Sequence, residues 1–323
     1  MISHSALLRL VEQEIKNQKF GAQPKSLYEP IRYIMSLGGK RLRPLLALMS
    51  YSLYKADPQR IVKYATAVEA FHNFTLLHDD IMDKAPLRRG KPTVHKKWNV
   101  NTAILSGDVM LVKVYDQFLD LSGQTLKELL PIFNQCAAEV CEGQQWDMEF
   151  ETKSKVTEAQ YIQMIKLKTA VLLGFSLELG ALLANANLRE RKSLKEFGIN
   201  IGIGFQLKDD LLDVYGDQSK FGKQVGGDIL ANKKTYLLIK AKEKAKGKDK
   251  QELEHWITAK KFNKSQKIKA VTALYDRLAI AKLTEKKIAK YFTAGFKNLE
   301  QIKESPQKQL LIQFTQNLIS RQS

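Results

Sequence analysis

Apolar residues recur along this chain with the three-to-four-residue spacing of helices that bury one face. Leu7, Leu8, Val11 and Ile15 mark a first amphipathic helix, and a second runs to Leu37, where Gly38-Gly39 stops it. Pro44 suits the first turn of a third, LRPLLALMSYSLY. A long periodic segment runs from about Gln59 to Met82, then a loop, KAPLRRGKPTVHKKW, holds a glycine and two prolines. Helical patterns cover about 99–121, 125–150, 157–186 and 189–215. Shorter, more polar ones continue beyond a glycine-rich FGKQVGGD stretch to the end. Runs of β-branched residues suited to a parallel sheet are absent. No repeat period or Pro/Ser-rich linker divides the chain. The pattern predicts an all-α protein, one domain over 1–323, built as a single bundle of ten or more helices.

Composition agrees. With 18 Gly and 8 Pro in 323 residues the chain is poor in turn-formers, which argues against a many-stranded sandwich or barrel. Apolar residues at 44% supply a sizeable core. No run approaches the ~20 apolar residues of a membrane span; the most apolar, VLLGFSLELGALLANA from Val171, carries Glu178 and reads as a buried helix. The N-terminal stretch is charged and amphipathic, unlike a secretory leader. Two cysteines, Cys136 and Cys141, make no disulfide framework or metal spacing, so a reducing cytoplasm is expected. A net charge of +18 admits nucleic acid, anionic membrane or phosphorylated substrates as partners. Much of it sits in 240–250 and 258–269, interspersed with acidic and apolar residues. Those segments read as solvated helix faces, and no nucleic acid is expected as a partner.

The chemistry concentrates in two acidic clusters. HDDIMD carries Asp79, Asp80 and Asp83, and KDDLLD carries Asp209, Asp210 and Asp213. On a helix, i, i+3 and i, i+4 spacing brings each trio within mutual reach. Three carboxylates on one turn repel each other, and a hard divalent cation resolves that repulsion. Mg²⁺ takes carboxylate oxygens and keeps waters and substrate phosphates as its other ligands. One such cluster alone reads better as a charged helix end in solvent; two copies in apolar helices favour metal. Basic residues accompany both: Arg88 and Arg89 beside Gly90, Lys223 and Lys233 after the second cluster, and Lys40, Arg41 and Arg43 in GGKRLRP upstream. Paired arginines suit the bidentate geometry of phosphate oxygens. Together these residues describe a site for a metal-bound diphosphate.

Five motifs in order between residues 38 and 237, namely GGKRLRP, HDDIMDKAPLRRGKPTVH, LKTA, GFQLKDDLLDVYGD and FGKQVGGDILANKKTYL, resemble the trans-isoprenyl diphosphate synthases of the polyprenyl synthetase family. The resemblance implies an isoprenoid-synthase fold around a central cavity and a homodimer. It also implies condensation of isopentenyl diphosphate with an allylic diphosphate (dimethylallyl, geranyl or farnesyl), with Mg²⁺ as cofactor and Mn²⁺ as a substitute. Carried over residue by residue, it places metal on Asp79, Asp83 and Asp209, with Asp80, Asp210 and Asp213 in support. Arg88, Lys168, Lys223 and Lys233 match the grip on the allylic diphosphate. Lys40, Arg43, His72 and Arg89 match the isopentenyl diphosphate pocket. Thr169 and Gln206 match polar residues at the reacting allylic end. Gln144 and Asp147 in EGQQWD fit a weaker pattern and stay outside the expected site.

The implied chemistry ionises the allylic C–O bond, shields the carbocation from water, and ends in proton loss with released diphosphate as base. A terpene cyclase needs no second diphosphate pocket, so GGKRLRP and the second aspartate cluster favour chain elongation. A longer-chain synthase is closer kin. A basic nucleic-acid-binding helical protein leaves six paired aspartates unexplained. In relatives, aromatic side chains one to two turns before the first cluster limit product length. Phe71, Phe74 and Thr75 occupy those positions. They favour the fifteen-carbon farnesyl product, with the twenty-carbon geranylgeranyl product second.

Overall fold

Ser3 opens the first helix by accepting the Ala6 N–H at 3.2 Å, satisfying a donor that a helix start leaves unpaired. The computed structural model describes residues 3–216 and 225–320. They fall into two compact units. The first comprises Met1–Gln135, Phe175–Lys195 and Ile302–Ile312; the second comprises Cys136–Gly174, Glu196–Gln301 and Gln313–Ser323.

In the first unit, α1 (His4–Asn17) buries Leu7, Val11 and Ile15, the predicted stripe. It is followed by α2 (Lys25–Ser36) and α3 (Leu42–Ser52), with Pro44 in the first turn of α3. The organising element is α4 (Val62–Met82). Its buried residues run almost continuously from Ala65 to Phe71 and on through Asp80, so it is enclosed on nearly every side. It packs against α1, α2, α3 and α6 (Val100–Phe118). The segment expected as a plain loop holds more order. Leu87–Arg88 (β1) pairs antiparallel with Lys91–Pro92 (β2), and a helical turn, α5 (Val94–Lys97), follows. Arg89 at φ 53° and Gly90 at φ 73° form the two-residue connection, the twist that a tight hairpin requires. The start of α7 (Gly123–Thr152) adds Phe133, whose ring meets Phe71, Tyr115, Phe118 and Phe175 at centroid distances of 5.2–5.5 Å.

The second unit takes α7 from Cys136, then α8 (Glu158–Ile165), entered through a reciprocal Thr157–Gln160 cap. The helix expected over 157–186 is interrupted by one π-helical turn, Lys166–Ala170, before α9 (Val171–Leu183). The later part of α10 (Leu188–Tyr215) follows, then α11 (Gly227–Leu230), α12 (Tyr236–Lys244), α13 (Gly247–Thr258), α14 (Lys264–Arg277), α15 (Ile280–Asn298) and the end of α16 (Pro306–Ser320). Val214, Ile229, Leu237, Leu253, Val271, Leu274 and Ile280 form a core in this unit. The all-α expectation holds. No helix among the described residues is long and apolar enough to cross a membrane.

Candidate active site

The first set of expected residues lies in the first unit. Asp83 caps α4, its N–H bonded to the Asp79 carbonyl at 2.8 Å. The three carboxylates then part company. Asp80 is only 2% exposed and is gripped by Arg88, whose Nε reaches its two oxygens at 2.9 and 2.8 Å while Nη2 donates to Oδ1 at 2.7 Å. Asp79 is half-buried, 3.6 Å from the same guanidinium, and Asp83 is exposed. Burial opposes the charge on Arg88, but Asp80, Asp79 and Asp83 together hold its pKa above the ordinary value.

Arg89 turns the other way and donates to the Gly38 carbonyl. Gly39 lies so close beneath it that a Cβ would stand 2.8 Å from Nη2, with φ at 135° as well. Two basic motifs fifty residues apart thus meet. His72 lies among Arg43, Arg89, Arg88 and Arg41. Burial and then those like charges hold its imidazole well below the usual range, so it is neutral at neutral pH. Arg41 is committed inward: it donates to Glu12 and Glu69 at 2.9 Å each and to the Met35 carbonyl at 2.8 Å. Lys40 is exposed and Arg43 half-buried at the start of α3. On α4, Phe71 is 1% and Phe74 9% exposed. Phe74 lies tilted at 45° to Phe71, ring centres 5.7 Å apart, and edge-on to His78 at 4.9 Å. Thr75 is partly buried, its hydroxyl bonded to the His72 carbonyl at 2.8 Å.

The second set lies in the second unit and repeats the logic. Asp209 is exposed, Asp213 half-buried and Asp210 buried. Asp210 accepts from the Tyr161 hydroxyl and from Gln206 Nε2 at 3.2 Å. Burial and then Asp228 push its carboxyl up to about 7. Gln206 Oε1 in turn accepts from Thr169 at 3.5 Å. The Asp228 N–H donates to Asp213 at 2.9 Å. Lys168, in the π-helical turn, donates to Asp147 at 2.7 Å. That turn can sit against α7 because Gly143 leaves room: a Cβ there would stand 2.1 Å from the Lys168 backbone nitrogen. Burial raises the Asp147 carboxyl, but Lys233 and Lys168 outweigh it and hold the group below the usual carboxylate range. Lys223 lies outside the described residues. Asp147, Tyr161 and the inward role of Arg41 are additions. Asp147 had a sequence signal in EGQQWD, whereas Tyr161 had none.

Among the described residues no three Asp, Glu, His or Cys side chains stand close enough to cage an ion. Mg²⁺ is usually bound through one or two carboxylates together with waters and substrate phosphates, and not by a cage made wholly of protein groups.

Fold and site define a class, the all-α proteins of isoprenoid-synthase fold. The polyprenyl synthetase family model matches residues 24–275, and the chain belongs to that family. It is 36% identical over 310 residues to a protein of Methanosarcina mazei named geranylgeranyl diphosphate synthase, covering 93% of this chain and 91% of that one. A crystal structure of a geranylgeranyl pyrophosphate synthase superposes with a TM-score of 0.94 at 44% identity, covering all of both chains. The geranylgeranyl pyrophosphate synthetase from Pyrococcus horikoshii gives 0.90 at 34% identity, covering 97% of this chain and 96% of that one.

Proposed function

We propose that the chain, as one polyprenyl synthetase domain over 1–323, extends allylic diphosphates with isopentenyl diphosphate to the twenty-carbon geranylgeranyl product. It is a short-chain trans-prenyltransferase. One observation carries the site assignment. In each cluster the middle aspartate is tied to the protein, Asp80 to Arg88 and Asp210 to Tyr161 and Gln206, and this division supports giving metal binding to the outer ones. Asp79, Asp83 and Asp209 would hold Mg²⁺, or Mn²⁺ in its place, with Asp213 in support. When bound, the metal offsets the charge that develops on the leaving diphosphate.

The protein's own groups do the rest. Arg88, Lys168 and Lys233 add fixed positive charge for the allylic diphosphate, an electrostatic contribution that is organised before the bond breaks. Lys40, Arg43 and Arg89 bind isopentenyl diphosphate beside neutral His72, which offers a hydrogen bond without adding to the local positive charge. Thr169 and Gln206 face the reacting allylic end. The apolar side of α4 keeps water from the carbocation. None of these side chains is assigned the final proton, which passes to the released diphosphate.

The geranylgeranyl names of the relatives move the product from the fifteen-carbon expectation to the twenty-carbon one, and partly buried Thr75 leaves the extra room. We also propose a homodimer in the cytoplasm. The support is an exposed apolar stripe along α6 and just beyond it: Val100, Ile104, Leu105 (57%), Val112 (58%) and Leu119 (67%), all on one helical face. The direct test is to incubate the protein with Mg²⁺, isopentenyl diphosphate and dimethylallyl, geranyl or farnesyl diphosphate, then size the products. A twenty-carbon end product from all three supports the reading; termination at fifteen carbons, or growth well beyond twenty, rejects the product assignment.

A further inference from the structure

Lysine is almost never fully buried unless something inside receives its charge. Lys267, in the first turn of α14, is 1% exposed. Among the described residues no carboxylate pairs with it. Its Nζ donates to Asn232 Oδ1 at 2.7 Å and stands 4.3 Å from the centre of the Phe262 ring. Burial lowers the pKa of the ammonium. A leucine or methionine would fill this place without the desolvation cost of a charge, so the bond to Asn232 is the feature to explain.

Asn232 is held at both ends of its side chain. Its Nδ2 donates to the Ile257 carbonyl at the end of α13, at 3.1 Å, while Oδ1 receives Lys267. Its backbone is left-handed, φ 52°, a conformation that asparagine tolerates better than most residues. The next residue is Lys233. The Lys233 N–H donates to the Asp228 carbonyl at 2.9 Å, and the Asp228 N–H donates to Asp213 of the second cluster at 2.9 Å. The charge of Lys233 is felt at both Asp147 and Asp210. The short turn 228–233 thus hangs between the aspartate cluster on one side and the α13–α14 pair on the other.

We propose that Lys267 is a positioning residue for Lys233: by fixing Asn232 in its left-handed turn, it aims the Lys233 ammonium at the allylic diphosphate. This rests on the role given to Lys233 above, and it concerns a residue outside every motif that carried the family resemblance.

Four variants test it: Lys267→Met, Asn232→Gly, Lys233→Ala and the double Lys267→Met/Lys233→Ala. Glycine at 232 keeps the left-handed backbone while removing both side-chain bonds, so it carries the test if Lys267→Met does not fold. Two quantities are read: binding of inorganic pyrophosphate in the presence of Mg²⁺ by titration calorimetry, and KM for each substrate. Lys267→Met and Asn232→Gly should each weaken pyrophosphate and raise the allylic KM about tenfold, the scale of one hydrogen bond to a charged group. The isopentenyl diphosphate KM should stay unchanged. The double variant should bind pyrophosphate no worse than Lys233→Ala alone, because Lys267 acts only through Lys233. A lowered melting temperature with both KM values unchanged would show a purely structural lysine and overturn the proposal. Multiplying losses in the double variant would overturn it too. If Lys233→Ala itself leaves pyrophosphate binding intact, the role of Lys233 fails, and the positioning role falls with it.

Discussion

The middle aspartates, Asp80 and Asp210, differ from their neighbours in what they touch, and this separates residues that look equivalent in DDxxD. Removing one partner of a buried ion pair costs ~3–5 kcal/mol. Arg88 is 24% exposed, which places Asp80→Asn nearer about 2 kcal/mol, read as a clear fall in melting temperature. Asp79→Asn should leave the melting temperature level or slightly higher, since it relieves repulsion without breaking so close a pair. Equal destabilisation by both would refute the division of roles. The presence of the carboxylates is legible in the sequence because helical spacing is local. The identity of the one facing Arg88 is not, because the pairing depends on the turn of a two-residue hairpin eight residues on.

Among the elements, α4 and its cap carry both the first aspartate cluster and the residues proposed to limit product length, and the long apolar pattern of α4 is plain in the sequence. The β1–β2 ladder is not, because two-residue strands leave no alternation to read. Nor is the π-helical turn at Lys166–Ala170, which sits inside a continuous helical pattern. The two phenylalanines of α4 diverge. Phe71, meeting Phe133 edge-on, is core: Phe71→Ala should lose ~3–5 kcal/mol with little change in product. We propose Phe74, beside the partly exposed His78, as the floor residue. Phe74→Ala should yield products longer by at least one isoprene unit, measured by chromatography of the hydrolysed products. An unshifted product from a folded Phe74→Ala variant removes Phe74 from the floor.

For the whole molecule, the all-α class and the order of the motifs are legible from residues 38–237 alone. Contacts such as Lys267 to Asn232 or Tyr161 to Asp210 are not, because they join residues 35 and 49 positions apart in the chain. The α6 stripe makes the assembly testable. Light scattering should give a dimer for the native chain and a monomer for Leu105→Glu/Val112→Glu; a dimer that persists in the variant places the interface elsewhere.

The central claim is that aspartate-bound metal drives condensation of two diphosphates. The most direct measurement is the steady-state rate of isopentenyl diphosphate incorporation with Mg²⁺ for the native chain and for Asp79→Asn, with melting curves showing both folded. A fall of at least ~100-fold in kcat, the scale lost when stabilisation of developing charge is removed, is the predicted result, together with complete loss in the native enzyme on adding a chelator. Near-native turnover by folded Asp79→Asn, or activity that survives the chelator, would contradict the account.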